Sequence, residues 1–115
     1  MSRIRIRYKR RILSVDVKET NFFTRGTGLM FKSRNTKNLV FYFGKPVKLA
    51  ITSFFVFFPF LAVWLDKNYK VVHKEIVMPW KFALKPKKEF YSLVEFPINS
   101  KNVKIIEFFV GKGNI

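Results

Sequence analysis

At 115 residues the chain has the length of a single domain, enough to bury roughly two thirds of its extended-chain surface without staples. It has no cysteine, which excludes disulfides and cysteine-ligated metals, and its one histidine, His73, excludes a two-histidine metal site. The 23 basic and 7 acidic residues give a net charge of +16, which points to a polyanion: nucleic acid or an anionic membrane surface. Scattered lysines also have two plainer explanations, ordinary solubility and an A/T-rich codon bias that would raise Lys, Asn, Ile and Phe together.

The first eleven residues differ from the rest. Arg3, Arg5, Arg7, Lys9 and Arg11 alternate with Ile4, Ile6, Tyr8 and Arg10, so a strand here has one basic face and one mainly apolar face. Six of the basic residues lie in this stretch and five are arginines, which the lysine codon argument does not cover. Two readings fit: an arm that grips a polyanion, or an edge strand whose charges discourage edge-to-edge pairing. The N-terminus lacks the apolar region of a signal peptide, so a cytoplasmic location is expected.

Residues 12–17 read as a strand, and residues 20–27 as a short helical turn capped by Thr20 or Asn21 and ended by Gly26 or Gly28. Residues 33–38 are polar and basic, a loop by composition, and residues 39–43 form an apolar strand ended by Gly44 and Pro46. Residues 49–65 carry no charge, the longest such apolar run in the chain. Seventeen residues is the lower limit for a membrane-spanning helix. The aromatic and β-branched residues around Phe54–Phe58 and the central Pro59 argue against a helix, so two short strands are expected at 53–58 and 60–66. The chain is therefore not read as transmembrane.

Asp66, Lys67 and Asn68 have turn chemistry, which makes a hairpin of 60–66 with a strand over 69–78 closed by Pro79 and Trp80. A basic loop at 85–88 precedes a strand at 90–96, and the β-branched and aromatic run at 103–110 reads as the last strand. The expectation is a mainly β chain: an antiparallel barrel or sandwich of seven to eight strands with one helical turn. Residues 1–11 form the arm or edge strand, and residues 12–115 a single β domain.

The order of short signatures carries a resemblance. Gly28-Leu29-Met30-Phe31-Lys32, Ile51 to Leu61 with Pro59, Leu65-Asp66-Lys67-Asn68, Pro79-Trp80-Lys81-Phe82 and Leu93-Val94-Glu95-Phe96-Pro97 fall in register with the domain-of-unknown-function 192 family, also called uncharacterised protein family 0127. The chain resembles a diverged member over residues 12–115. The resemblance implies a small, mostly β, barrel-like domain and no established activity. Where that family has Arg before Gly-Leu-Met this chain has Thr27, with Arg25 two residues earlier. Thr52 and Ser53 stand at its polar-Met pair, Leu61 at its Asp and Asn99 at its last glycine. A polar site at those positions would be partly lost here, which implies no metal, no cofactor and no turnover.

The residues themselves support the same expectation. No two of the acids Asp16, Glu19, Asp66, Glu75, Glu89, Glu95 and Glu107 share a spacing that marks a general acid–base pair, so an enzyme is not expected. Glu95, the one acid within an apolar strand, reads first as an outward-facing residue and second as a buried acid with a raised pKa. Two function classes follow. In the first, the domain is a binding module for a protein or small apolar ligand, with Met30, Thr52, Ser53, Trp80 and Phe82 as candidate contacts. In the second, it binds nucleic acid through Arg3, Arg5, Arg7, Lys9, Arg10 and Arg11. Where Tyr8, Tyr42, Trp64 and Trp80 lie separates them, since aromatics exposed among cations favour nucleic acid. The helical turn at Phe22-Phe23 is expected to cover Phe55 and Phe57, which makes the chain a monomer, with a weak dimer as the alternative.

Overall fold

The alternation of arginines and isoleucines at the N-terminus builds a β-hairpin. Strand β1 (Ser2–Tyr8) pairs antiparallel with β2 (Arg11–Thr20), Tyr8 opposite Arg11 and Ser2 opposite Val17. Ile4, Ile6, Val15 and Val17 are buried, while Arg3, Arg5 and Arg7 are exposed. β1 is thus an integral edge strand. The computed structural model describes residues 2–20, 33–50, 56–80 and 86–111. Four further strands complete one sheet: β3 (Leu39–Val47), β4 (Phe60–Leu65), β5 (Val71–Val77) and β6 (Phe90–Pro97), in the order β1-β2-β3-β6-β4-β5.

The sheet is mixed, with six strands among the described residues, where seven to eight antiparallel ones were expected. β2 and β3 pair in parallel, Lys18 opposite Leu39 through Thr20 opposite Phe41. Parallel neighbours need a long crossover connection, and the residues between Thr20 and Leu39 supply one. Of these, 21–32 lie outside the described residues, as does the helical turn expected there.

One expected strand is a helix, and the described part of another is irregular. Val103–Val110 is a helix, α1, preceded by a 3₁₀ turn at Ser100–Asn102. The side chain of Asn99 accepts a hydrogen bond from the Asn102 N–H at 3.0 Å, and the Gly111 N–H bonds the Glu107 carbonyl at 2.8 Å with Gly111 at φ 86°. Asn99 thus caps the 3₁₀ turn that leads into α1, and Gly111 closes the helix. Ile106 and Phe109, three residues apart, are buried, while Lys104 lies in solvent: a helical period written in strand-forming residues. In the expected strand at 53–58, the described residues Val56 to Phe58 are irregular, and β4 starts after Pro59, whose carbonyl accepts from the Ile98 N–H at 3.1 Å.

Two apolar clusters lie on opposite faces of the sheet. One joins Ile4, Ile6, Val15, Val17, Leu61, Val63, Val94 and Phe96 to Ile106 and Phe109 of α1. The other packs Val56 and Phe58 over Phe60, Ala62, Trp64, Phe90 and Leu93. β4 is buried on both faces, which accounts for its unbroken apolar sequence. Truncating one of its large side chains, such as Trp64→Ala, would cost about 3–5 kcal/mol. Among the described residues no helix is long and apolar enough to cross a membrane.

The sheet curls into a half-barrel. Its outer strands meet at one point, where the Arg7 N–H donates to the Tyr69 carbonyl at 2.9 Å beside a bridge between Arg7 and Lys70. Tyr69 is held at φ 63° by the preceding loop, in which Asp66 Oδ1 accepts from the N–H groups of Asn68 and Lys70 at 2.8 and 3.0 Å. That backbone delays β5 to Val71, two residues later than expected.

Candidate polyanion-binding surface

The outer face of the β1–β2 hairpin concentrates cations because strand geometry puts every second side chain there. Arg3 stands opposite Asp16 and pairs with it, Nε to Oδ1 at 3.2 Å, both largely exposed and so worth at most about 1 kcal/mol. Arg5 stands opposite Ser14, and Arg7 opposite Ile12. Among the described residues no carboxylate lies within ion-pair distance of Arg5, Arg7, Lys9, Arg10 or Arg11. At the N-terminal end of the strand the Ser2 hydroxyl bonds Glu19.

Lys9 and Arg10 form the two-residue turn, at φ 48° and 63°. Such turns favour Asn-Gly, because residues with a Cβ are strained in the left-handed region. Two long cations occupy those positions instead. The Arg11 guanidinium carbon lies 4.4 Å from the centroid of the Phe108 ring, and its Nη2 donates to the Phe108 carbonyl at 3.1 Å. The positive end of that side chain thus meets the negative end of α1.

Beyond the Arg7–Tyr69 contact a cleft of about 330 Å³ opens, lined by the hairpin turn, Lys74 of β5 and the last turn of α1. Tyr8 forms part of its wall, with the Lys9 and Lys74 ammonium groups 5.3 and 5.6 Å from the ring centroid. The Tyr8 ring packs at 6.1 Å from Phe108 and 5.6 Å from Phe109. The one carboxylate of the lining is Glu107. Lys74 and Phe108 were not singled out from sequence, because only the meeting of β1, β5 and α1 brings them to Tyr8.

The remaining expected positions disperse. Trp80 is 48% exposed at φ 64°, with its ring 5.7 Å from that of Phe57, itself 57% exposed. Met78 is 50% exposed nearby in sequence. Met30, Thr52, Ser53 and Phe82 lie outside the described residues, as does Phe55. Trp64 is fully buried, its ring 5.0 Å from His73, whose Nε2 lies 3.3 Å from Glu75 Oε1. Tyr42 and Tyr69 are exposed and meet edge to face at 6.5 Å. The Tyr42 hydroxyl is pushed up from 10.0 to about 12, by burial first and then by Tyr69 and Glu19. Among the described residues no three His, Asp or Glu side chains converge as a metal site would require.

Glu95 corrects the sequence expectation. It is 7% exposed, on a face shared with the second apolar cluster, and burial raises its carboxyl from 4.5 to about 8. The outward-facing reading failed because β6 is covered on both faces.

No protein-family model matches the sequence, and no curated protein matches it significantly. Two solved structures share the fold. One is a candidate transcription regulator from Sinorhizobium meliloti 1021, with a TM-score of 0.73 at 17% identity over 90% of this chain and 84% of that one. The other is a protein of unknown function from Novosphingobium aromaticivorans DSM 12444, with a TM-score of 0.72 at 10% identity over 90% and 76%. At such identities the likeness is one of fold alone.

Proposed function

We propose that the chain is a non-catalytic binding domain for polyanions, with nucleic acid as the partner class and the β1–β2 hairpin as the contact surface. The observation that carries this reading is the pair Arg5 and Arg7: exposed on one strand face, about 6–7 Å apart by strand geometry, with Ser14 and Ile12 opposite in place of carboxylates. An edge strand needs only a charge or two to resist pairing. This one carries Arg5 and Arg7 with no ion-pair partner among the described residues, and a turn of two further cations. The description of the Sinorhizobium neighbour as a transcription regulator is in keeping with a nucleic-acid partner, and the proposed location is the cytoplasm.

Arg5→Ala/Arg7→Ala is the test. Binding of a labelled duplex, followed by fluorescence anisotropy, should weaken steeply with salt, and the double variant should flatten that salt slope by roughly two phosphate contacts. Lys87→Ala/Lys88→Ala, in an exposed loop, is the control. Equal loss in both variants would assign binding to overall charge and sink the hairpin reading. Truncating residues 1–11 is not a usable test, because Ile4 and Ile6 belong to the core.

A second reading rests on Phe57, Met78 and Trp80, whose exposure supports recognition of a protein or small apolar ligand at that end of the sheet. We also propose that the chain is a diverged member of the domain-of-unknown-function 192 family, on the signatures quoted above. The mainly β half-barrel is in keeping with it.

A further inference from the structure

We infer that the cleft between the hairpin turn and the end of α1 takes a nucleobase with its phosphate, presented by a single strand of nucleic acid. The inference rests on the polyanion reading and adds which form of nucleic acid is preferred. The cleft combines two features that a plain basic surface lacks. Its wall is aromatic, with Tyr8 and Phe108 partly exposed and their centroids 6.1 Å apart. Its rim is cationic, with Lys9, Arg11 and Lys74 set against Glu107 alone. A ligand that fits both has a flat apolar face and a negative charge next to it.

The two lysines near Tyr8 make this exchange easy. Each ammonium lies within cation–π range of the ring on a flexible stem. An entering base replaces a weak exposed cation–π contact with stacking, which is the stronger interaction. The displaced ammonium is then free to meet the phosphate. Arg11 stays in place, fixed by its bond to the Phe108 carbonyl. Arg5 and Arg7 lie on the outer face of the same edge strand, so a strand leaving the cleft around that edge reaches them. Duplex bases are paired and stacked and cannot enter a cleft of about 330 Å³, so a duplex touches only the outer face.

The test compares a labelled oligothymidylate of roughly ten nucleotides with a duplex of equal length, both by anisotropy with the full chain. The intact protein should bind the single strand about tenfold more tightly than the duplex. Tyr8→Leu keeps an apolar side chain over Phe109 and should remove that preference. Lys74→Gln, at a half-exposed site where the fold is not at risk, should weaken the single strand several-fold and leave the duplex unchanged. Arg5→Ala/Arg7→Ala should weaken both. Equal affinity for strand and duplex in the intact protein overturns the cleft inference and leaves the hairpin reading standing, whereas no binding of either overturns both. Thymidine monophosphate binding as tightly as the strand, and unaffected by Arg5→Ala/Arg7→Ala, would make a free nucleotide the ligand. Displacement by polyglutamate at equal charge concentration would show that the aromatic wall plays no part.

Discussion

Glu95 stands directly opposite Ala62 in the β4–β6 ladder and opposite Leu39 in the β3–β6 ladder, a carboxyl set among apolar neighbours in the interior. Ala62 is the small residue on that face of β4, which leaves space for the longer Glu side chain. Burial is what raises its carboxyl to about 8, and among the described residues no cation pairs with it. The folded state therefore holds a proton that the unfolded chain releases near 4.5.

The sign follows. Because the folded pKa is the higher one, the stability from the protonated form is complete below about pH 4.5 and is lost as pH rises through about 8. The decline is a little over 1 kcal/mol per pH unit in that window, or roughly 3–5 kcal/mol in all. Glu95→Gln should match the native protein in acid and exceed it in stability at pH 9, as read by urea unfolding at several pH values. Parallel stability curves for the two proteins would show that the Glu95 carboxyl is not what titrates.

The Asp66 loop should prove similarly specific. One carboxylate oxygen receives two backbone N–H groups, and the resulting turn holds Tyr69 at positive φ so that its carbonyl meets Arg7. Asp66→Ala should cost about 1–2 kcal/mol and lower Tm by roughly 5–10 °C. Asp66→Asn keeps an acceptor oxygen and should recover most of that loss. Equal loss from both variants would point to charge, with the hydrogen bonds contributing nothing.

Asn102 ties three elements together. Its buried amide donates to the Asn38 side chain at 2.8 Å and to the Pro97 carbonyl at 2.7 Å, joining the loop before β3, the end of β6 and the start of α1. Asn102→Leu strands both acceptors and should cost about 2–3 kcal/mol by chemical denaturation. A neutral result would mean that water satisfies them equally well.

What the sequence made legible were features with local causes. The period-two pattern of Arg3 to Tyr8 placed one face of β1 in solvent, and Pro59 with Asp66 bracketed β4. The helix at Val103–Val110 was missed because its β-branched and aromatic residues carry strand propensity, while its period, the Asn99 cap and the closing Gly111 pointed the other way. Propensity is the weaker guide, since burial of Ile106 and Phe109 overrides it. The parallel pairing of β2 with β3 has no local signature beyond the length of the connection. The cleft around Tyr8 was half legible: Lys9 and Arg11 neighbour it in sequence, but Lys74 and Phe108 arrive only through the closure of β5 and α1 against β1.

The hairpin turn offers a test in which stability and binding part ways. Lys9 and Arg10 both sit in the left-handed region, which costs a side-chain-bearing residue roughly 1–2 kcal/mol each, and the pair Asn-Gly relieves about half of the total, since Gly also gains entropy in the unfolded chain. Lys9→Asn/Arg10→Gly should therefore raise stability by about 1–2 kcal/mol in thermal or urea unfolding. If the turn cations touch phosphate, the same variant should bind nucleic acid more weakly, with a salt slope reduced by up to roughly two contacts. A variant that gains stability and keeps its full salt slope would remove Lys9 and Arg10 from the contact surface. A variant that loses stability would show that the turn backbone was not strained by these residues. Gain in one measurement with loss in the other is the expected result, because the two strained cations add charge to the surface at the expense of the fold.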